Sequence, residues 1–112
     1  MALSRPALRE PTYFILASLL DGPLHGYGVI KQAELLSDGR VRLAAGTLYG
    51  ALDRLMADGL VEERGREVVE GRERRYYALT DAGHAVLAEE AQRLAASSQA
   101  VLLRLDAVRG MA

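Results

Sequence analysis

The sequence predicts a small α+β fold, mostly α: a winged helix-turn-helix with a two-stranded wing and a long C-terminal dimerisation helix. Three observations predict it. An amphipathic segment, GTLYGALDRLMADGLVEE from Gly46, leads into two extended segments that turn at Glu70 and Gly71 and close with RERRYYALTDAG. Two shorter segments with apolar residues at helical spacing come before it. After it, apolar and small residues recur in alternating steps of four and three almost to the last residue.

The 112 residues, 50% hydrophobic and 26% charged, are enough for one small domain with a single core. A domain of this size often gains stability by association, so a dimer is expected. With no cysteine there is no disulfide framework and no thiolate metal site. His25 and His84 have no partners at ligand spacing, so neither a metal nor a cofactor is expected. The opening MALSRPALRE lacks a long apolar stretch, and the apolar run Tyr13 to Leu20 is too short to span a bilayer, so the expectation is a soluble, cytoplasmic protein without a membrane partner.

Pro11 suits the first turn of a helix, where its missing N–H would have no partner anyway. The apolar run continues from it, and Asp21, Gly22 and Pro23 stop it. A second helix is expected from about Leu24 or His25 to Leu36, with Tyr27, Ile30 and Ala33 on one packed face and Ser37, Asp38 and Gly39 at its end. Arg40 to Leu43, alternating and β-branched at Val41, is expected to form a small strand before the third helix.

In the third helix, steps of about 100° per residue put Ala51, Leu52 and Leu55 within about 60° of Leu48, facing the core. Thr47, Gly50, Asp53, Arg54 and Ala57 lie opposite, with Tyr49 at the border. Gly50 in an exposed helix costs roughly 1 kcal/mol relative to alanine, which suggests close approach by a sugar-phosphate backbone or by a neighbouring helix. Gly59 ends the helix. Leu60 to Val69 and Arg72 to Leu79 then form the hairpin, with Tyr77 and Leu79 inward and Arg72, Arg74 and Tyr76 on the other face.

The formal net charge of -1 excludes a broadly basic nucleic-acid binder. Phosphate contact needs only a local patch, and Arg72, Arg74 and Arg75 crowd the predicted wing. The competing reading is a solvated cluster paired with Glu63, Glu67, Glu70 and Glu73, and exposed pairs of that kind are typically worth less than about 1 kcal/mol.

From Thr80, a suitable N-cap, one helix is expected to run nearly to the end. Leu87, Ala91, Leu94, Ser98, Val101, Leu105 and Val108 form a heptad seam on it. Such a helix is too long to be buried on so small a domain, and the seam predicts pairing with the same helix of a second subunit about a twofold axis. The division expected is residues 1–79 for DNA binding and 80–112 for dimerisation.

With LLDGPLHGYGVI, GTLYGALDRLMADGLV and RRYYALTDAG in this order, the chain resembles the PadR family of transcriptional regulators, in its short form with a single C-terminal dimerisation helix. The resemblance covers nearly the whole chain. It implies a homodimeric winged-helix repressor bound to double-stranded DNA at an inverted-repeat operator, released by a small-molecule effector at the dimer interface. It places Thr47 and Tyr49 against DNA, beside Gly50, Arg54, Arg72 and Arg74. Some relatives stack planar aromatic ligands on tryptophans of the last helix, and this chain has no tryptophan.

Two other classes compete. A winged helix that binds protein instead of DNA would suit the near-neutral charge. An enzyme with a phosphate cradle at Gly22, Gly26 and Gly28 is disfavoured, because no GK[ST] follows them and no Ser, His and Asp arrangement accompanies them.

Overall fold

Residues 7–111 are described by a computed structural model, and they form α1 (Glu10–Ser18), β1 (Leu24–His25), α2 (Gly26–Leu36), α3 (Ala45–Ala57), β2 (Val61–Val69), β3 (Arg72–Leu79) and α4 (Asp81–Gly110). Residues 1–6 and 112, the outer ends of the two expected units, lie outside the described residues. Ile15, Leu16, Val29, Leu48 and Leu52 are the most deeply buried apolar side chains, closed over by Leu60, Tyr77, Val86 and Leu87. Every element contributes to one core, β2 through Val61 and the two-residue β1 through the partly buried Leu24. The predicted inner face of α3 is the buried one: Leu48, Ala51, Leu52 and Leu55.

Two expectations are corrected. Arg40 to Leu43 is not a strand. The third strand is β1, which pairs with β3 through Leu24–Tyr77 and His25–Tyr76, giving the antiparallel order β1-β3-β2. The free edge of β3 is therefore occupied before residue 40 is reached. The backbone at Val41 is held instead by the Ser37 hydroxyl, which accepts from its N–H at 2.8 Å, while Arg40 and Arg42 reach back to Glu10 at 3.1 Å and Glu34 at 3.4 Å. In α2 the buried stripe is Gly26, Val29 and Ala33, and Tyr27 stands outside it, 62% exposed. Its spacing with Ile30 predicts packing, but helical periodicity alone does not fix which flank of a stripe faces inward.

The hairpin turns where predicted. Glu70 and Gly71 both take positive φ, 52° and 77°, the backbone required by a two-residue turn matched to the strand twist. A bulge between Glu63 and Gly65 adds a residue to β2 and bends the wing.

The ends of α3 and β3 and the start of α4 are tied into one joint. Gly59, at φ 75°, closes α3 in a Schellman arrangement, with Leu60 N–H donating to the Leu55 carbonyl at 2.9 Å and Gly59 N–H to Met56 at 3.0 Å. Thr80 then acts in three directions: its N–H donates to the Leu60 carbonyl at 3.1 Å, its hydroxyl donates to the Gly59 carbonyl at 2.6 Å, and the same oxygen accepts from Gly83 N–H at 3.0 Å as the N-cap of α4. Gly83 lies so close to Leu60 that an added Cβ would overlap the Leu60 carbonyl oxygen and stand 2.9 Å from its carbon.

A second tie holds α4 from the other side. Glu90 is buried, accepts from Leu8 N–H at 3.0 Å and accepts from Arg93 Nε and Nη2, each at 2.8 Å. The Arg93 hydrogen bonds, followed by that from Leu8, hold its carboxyl below the usual value. A depressed carboxylate stabilises the fold above its unfolded value and loses that contribution as pH falls through the folded one.

Beyond Ala91, α4 leaves the domain. Every described residue from Arg93 onward is exposed, including Leu94, Val101, Leu105 and Val108. The radius of gyration is 17.1 Å, against about 13 Å for a compact chain of this length. Among the described residues no helix is long and apolar enough to cross a membrane.

The joint predicts that Gly83→Ala destabilises the protein by more than Thr80→Ala. Losing the cap costs about 1 kcal/mol. The Gly83 methyl must displace backbone and costs about 3 kcal/mol or more. Chemical denaturation at fixed protein concentration checks the order, and equal effects would show that the joint yields easily.

Candidate nucleic-acid interface

An open groove runs between the start of α2, the wing-facing side of α3 and the wing, and Thr47, Gly50 and Arg54 lie outside it. His25, Gly26, Tyr27, Tyr49, Asp53, Arg72, Arg74 and Arg75 are among the residues that line it. The outward side of α3 divides into two stripes. Thr47, Gly50 and Arg54 share one, within about 60° of arc, and Tyr49 and Asp53 share the other, which faces the wing. Thr47 and Arg54 are exposed and Gly50 is half-buried.

Gly50 separates the two explanations offered for it. An added Cβ would meet nothing within 4 Å, so no neighbouring helix of this chain requires a glycine there. Among the described residues nothing packs against that surface. Gly26 is the opposite case: its missing side chain leaves the space filled by the Tyr49 ring.

The wing arginines part into two groups. Arg66 bonds Glu63 at 2.5 Å and Glu73 at 2.6 Å, Arg64 takes Glu62 at 2.8 Å, and Arg75 stands 4.0 Å from Glu73. Arg72, Arg74 and Arg54 make no ion pair among the described residues. Of the four glutamates expected to neutralise the patch, Glu63 and Glu73 are held by Arg66, while Glu67 and Glu70 form no ion pair among the described residues, and Arg72 and Arg74 line the groove beside Glu70. Glu67 lies opposite Arg74 in the strand register without forming a pair.

His25 and Arg75 join the groove for reasons that sequence alone does not carry. His25 enters because β1 pairs its backbone with Tyr76, bringing the two rings to 5.7 Å. Burial pushes the imidazole below its ordinary value, and the Arg74 guanidinium pushes it further, against an opposing pull from Glu67. Strict alternation sends Arg75 to the far side of β3, but a two-stranded ribbon twists strongly enough to bring it to the groove rim. Tyr27, also on the rim, carries the ammonium of Lys31 at 5.5 Å from its ring centre. His84 is exposed on α4, away from these groups.

Of the predicted dimer seam, Leu87 is buried in its own core and is not available to a second subunit. Ala91 is half-buried, and Leu94, Ser98, Val101, Leu105 and Val108 are exposed along one stripe. Where α1 approaches this stripe, Leu8, Tyr13, Phe14, Arg40 and Leu94 line a smaller crevice.

Comparison with known proteins agrees with this architecture. Residues 15–89 match the family model described as the transcriptional regulator PadR-like family. An uncharacterized 37.1 kDa protein in transposon TN4556 of Streptomyces fradiae is 44% identical over 84 residues, 72% of this chain, and the chain spans only 22% of that protein. Transcriptional regulator Rv3488 of Mycobacterium tuberculosis is 41% identical over 88 residues, covering 79% of this chain and 78% of the relative. Among solved structures, Bacillus subtilis PadR in complex with operator DNA superimposes with a TM-score of 0.63 at 26% identity, over 72% of this chain and 46% of that one. A PadR family transcription regulator from Clostridium difficile R20291 shares the fold, with a TM-score of 0.71 at 24% identity over 87% of this chain and 99% of that one.

Proposed function

The chain belongs to the PadR-like family of transcriptional regulators, and from that premise we propose that it is a repressor that binds double-stranded DNA as a homodimer at an inverted-repeat operator. The observation that carries the reading is the groove: the wing-facing stripe of α3, Tyr49 and Asp53, and two arginines without ion-pair partners among the described residues border one open channel, with Thr47, Gly50 and Arg54 on the stripe beside it. The likeness to a PadR solved with operator DNA supports it.

In this reading, Thr47, Gly50 and Arg54 of α3 enter the major groove, with Tyr49 at the border. Gly50 lets the helix approach closely, and Arg54 is placed for a base edge or a phosphate. Arg72 and Arg74 hold the flanking backbone, where they add affinity without sequence information. With the chain close to neutral overall, affinity rests on these few side chains.

Dimerisation follows from the stripe on α4. A helix of 30 residues is about 45 Å long, and its outer half carries Leu94 at the edge of the α1 crevice and then Val101, Leu105 and Val108, each half or more exposed. Ser98 permits close approach between two such helices. Residues 1–79 then read DNA and 80–112 pair the subunits, with the first turns of α4 shared by the core. Two α3 helices held about 34 Å apart would enter successive major grooves. An effector in the crevice between α1 and α4 would change that separation and release the operator, in the cytoplasm where the DNA is.

Replacing Arg72 and Arg74 by alanine is expected to weaken binding to all duplexes and to flatten the dependence of log K on log salt by about 0.9 for each phosphate no longer neutralised. An unchanged slope in anisotropy titrations removes the wing from the interface. No salt-dependent affinity in the unaltered protein would favour a protein-binding module instead.

Val101→Glu combined with Leu105→Glu is expected to give monomers in sedimentation and to lower affinity for a two-half-site duplex by about tenfold or more, while affinity for one half-site changes little. A dimer that survives both substitutions would place the interface elsewhere.

A further inference from the structure

One aromatic side chain stands where α2, α3 and β3 meet, and its surroundings are those of a spacer. Tyr49 leaves α3 toward the wing and is 46% exposed. The covered part of the ring lies across the backbone of Gly26, the first residue of α2. A Cβ at Gly26 would overlap the Tyr49 hydroxyl and stand 2.8 Å from Cζ and 3.1 Å from Cε1, all closer than ordinary packing allows. Gly26 does not take a positive φ, so backbone freedom does not demand glycine at this position. Room for the Tyr49 ring does.

The sheet is tied to the same place through its backbone. Tyr77 is buried on β3 and lines the same groove as Tyr49. The same Tyr77 pairs with Leu24, two residues before Gly26. The ring of the reading helix therefore sits against the start of α2, and the strand just before it, β1, is paired to the wing strand β3. Moving that ring moves α3 relative to Arg72 and Arg74, on opposite sides of the same groove.

We propose that Tyr49 is a positioning residue: its ring, seated in the space left by Gly26 beside the β1–β3 pairing, sets the separation between reading helix and wing and thereby governs operator selectivity without reading a base. The proposal rests on the DNA-binding reading above. It accounts for the glycine in the HGYG segment and the tyrosine in GTLYG as two halves of one contact. Selectivity is sensitive to it because base contacts need all groups in register, whereas phosphate contacts tolerate small displacements.

The test uses the full chain and two duplexes, one taken from genomic fragments that the unaltered protein selects and one of random sequence. The readout is the ratio of the two affinities at one salt concentration. Tyr49→Phe keeps the ring and is expected to keep the ratio within about twofold, whereas Tyr49→Leu and Gly26→Ala each lower it about tenfold, the effect of about 1.4 kcal/mol. Random-sequence affinity, set by phosphate contacts, should move little in all three. Combining Gly26→Ala with Tyr49→Leu should cost no more than the worse single change, because the clash no longer has a partner.

A Tyr49→Phe protein as impaired as Tyr49→Leu would mean that the hydroxyl itself touches DNA, and would overturn the proposal. So would strictly additive losses, or a Gly26→Ala protein with full selectivity. Should Gly26→Ala fail to fold, the comparison of Tyr49→Phe with Tyr49→Leu still decides. An unaltered protein without any preference between the duplexes would overturn the operator reading itself, whereas a clear preference that Gly26→Ala leaves intact would overturn only the role of Tyr49.

Discussion

The structure depends on the joint at Gly59, Leu60, Thr80 and Gly83. Within that small volume the reading helix ends, the wing begins and ends, and the long helix starts. Backbone groups satisfy one another across it: Thr80 N–H to the Leu60 carbonyl, the Thr80 hydroxyl to the Gly59 carbonyl, and Gly83 N–H to the Thr80 hydroxyl. Leu60 and Gly83 are buried, and their backbone groups left without partners would each cost about 1–3 kcal/mol, so the arrangement favours one relative placement of the three elements. Because Gly83 has no side chain, α4 lies directly on the Leu60 carbonyl. A rigid joint here fixes the direction in which α4 leaves the domain. Any partner that α4 engages is thereby placed relative to α3.

That geometry links the two halves of the proposed function. One winged helix offers a single short contact with DNA, made by a few side chains on a chain of nearly neutral charge. Two of them on a shared α4 seam bind as one unit, so the second contact forms at high effective concentration. An effector between α1 and α4 acts on the same lever, since the crevice there includes Leu94, the first exposed apolar residue of the seam. Glu90 adds a second attachment, tying the segment before α1 to α4 through Leu8.

Most of the fold is legible in the sequence because its elements announce themselves locally. Leu48, Ala51, Leu52 and Leu55 mark the inner face of α3 by angle alone, Glu70-Gly71 supplies the positive φ values of the turn, and Thr80 is a cap by residue type. What is not legible depends on contacts distant in sequence. A two-residue strand has no periodicity to read, so alternation points to Arg40 to Leu43 while the strand forms at Leu24 and His25. That displacement also hides His25, which reaches the groove only by pairing with Tyr76. Tyr27 and Val29 sit about 160° apart on α2, on either side of the line through Gly26, Ile30 and Ala33, and tertiary packing decides which of the two is buried. Leu87 satisfies the heptad but is taken up by its own core. The segments LHGYG, DGLV and LTDAG stand out as motifs, yet Gly26, Gly59, Leu60, Thr80 and Gly83 within them are joints and spacers, so motif strength there measures the geometry of the scaffold more than contact with DNA.

If a symmetric pair of reading heads, held by α4, defines the target, the pairing must show in the bound DNA. Selecting genomic fragments bound by the purified full chain and mapping the protected bases gives the decisive result. Expected are two half-sites in inverted orientation, with centres about 10–10.5 base pairs apart or a multiple of that, and two chains bound per site. Enrichment of single asymmetric sites, direct repeats, or one chain per site would contradict the pairing of reading heads through α4.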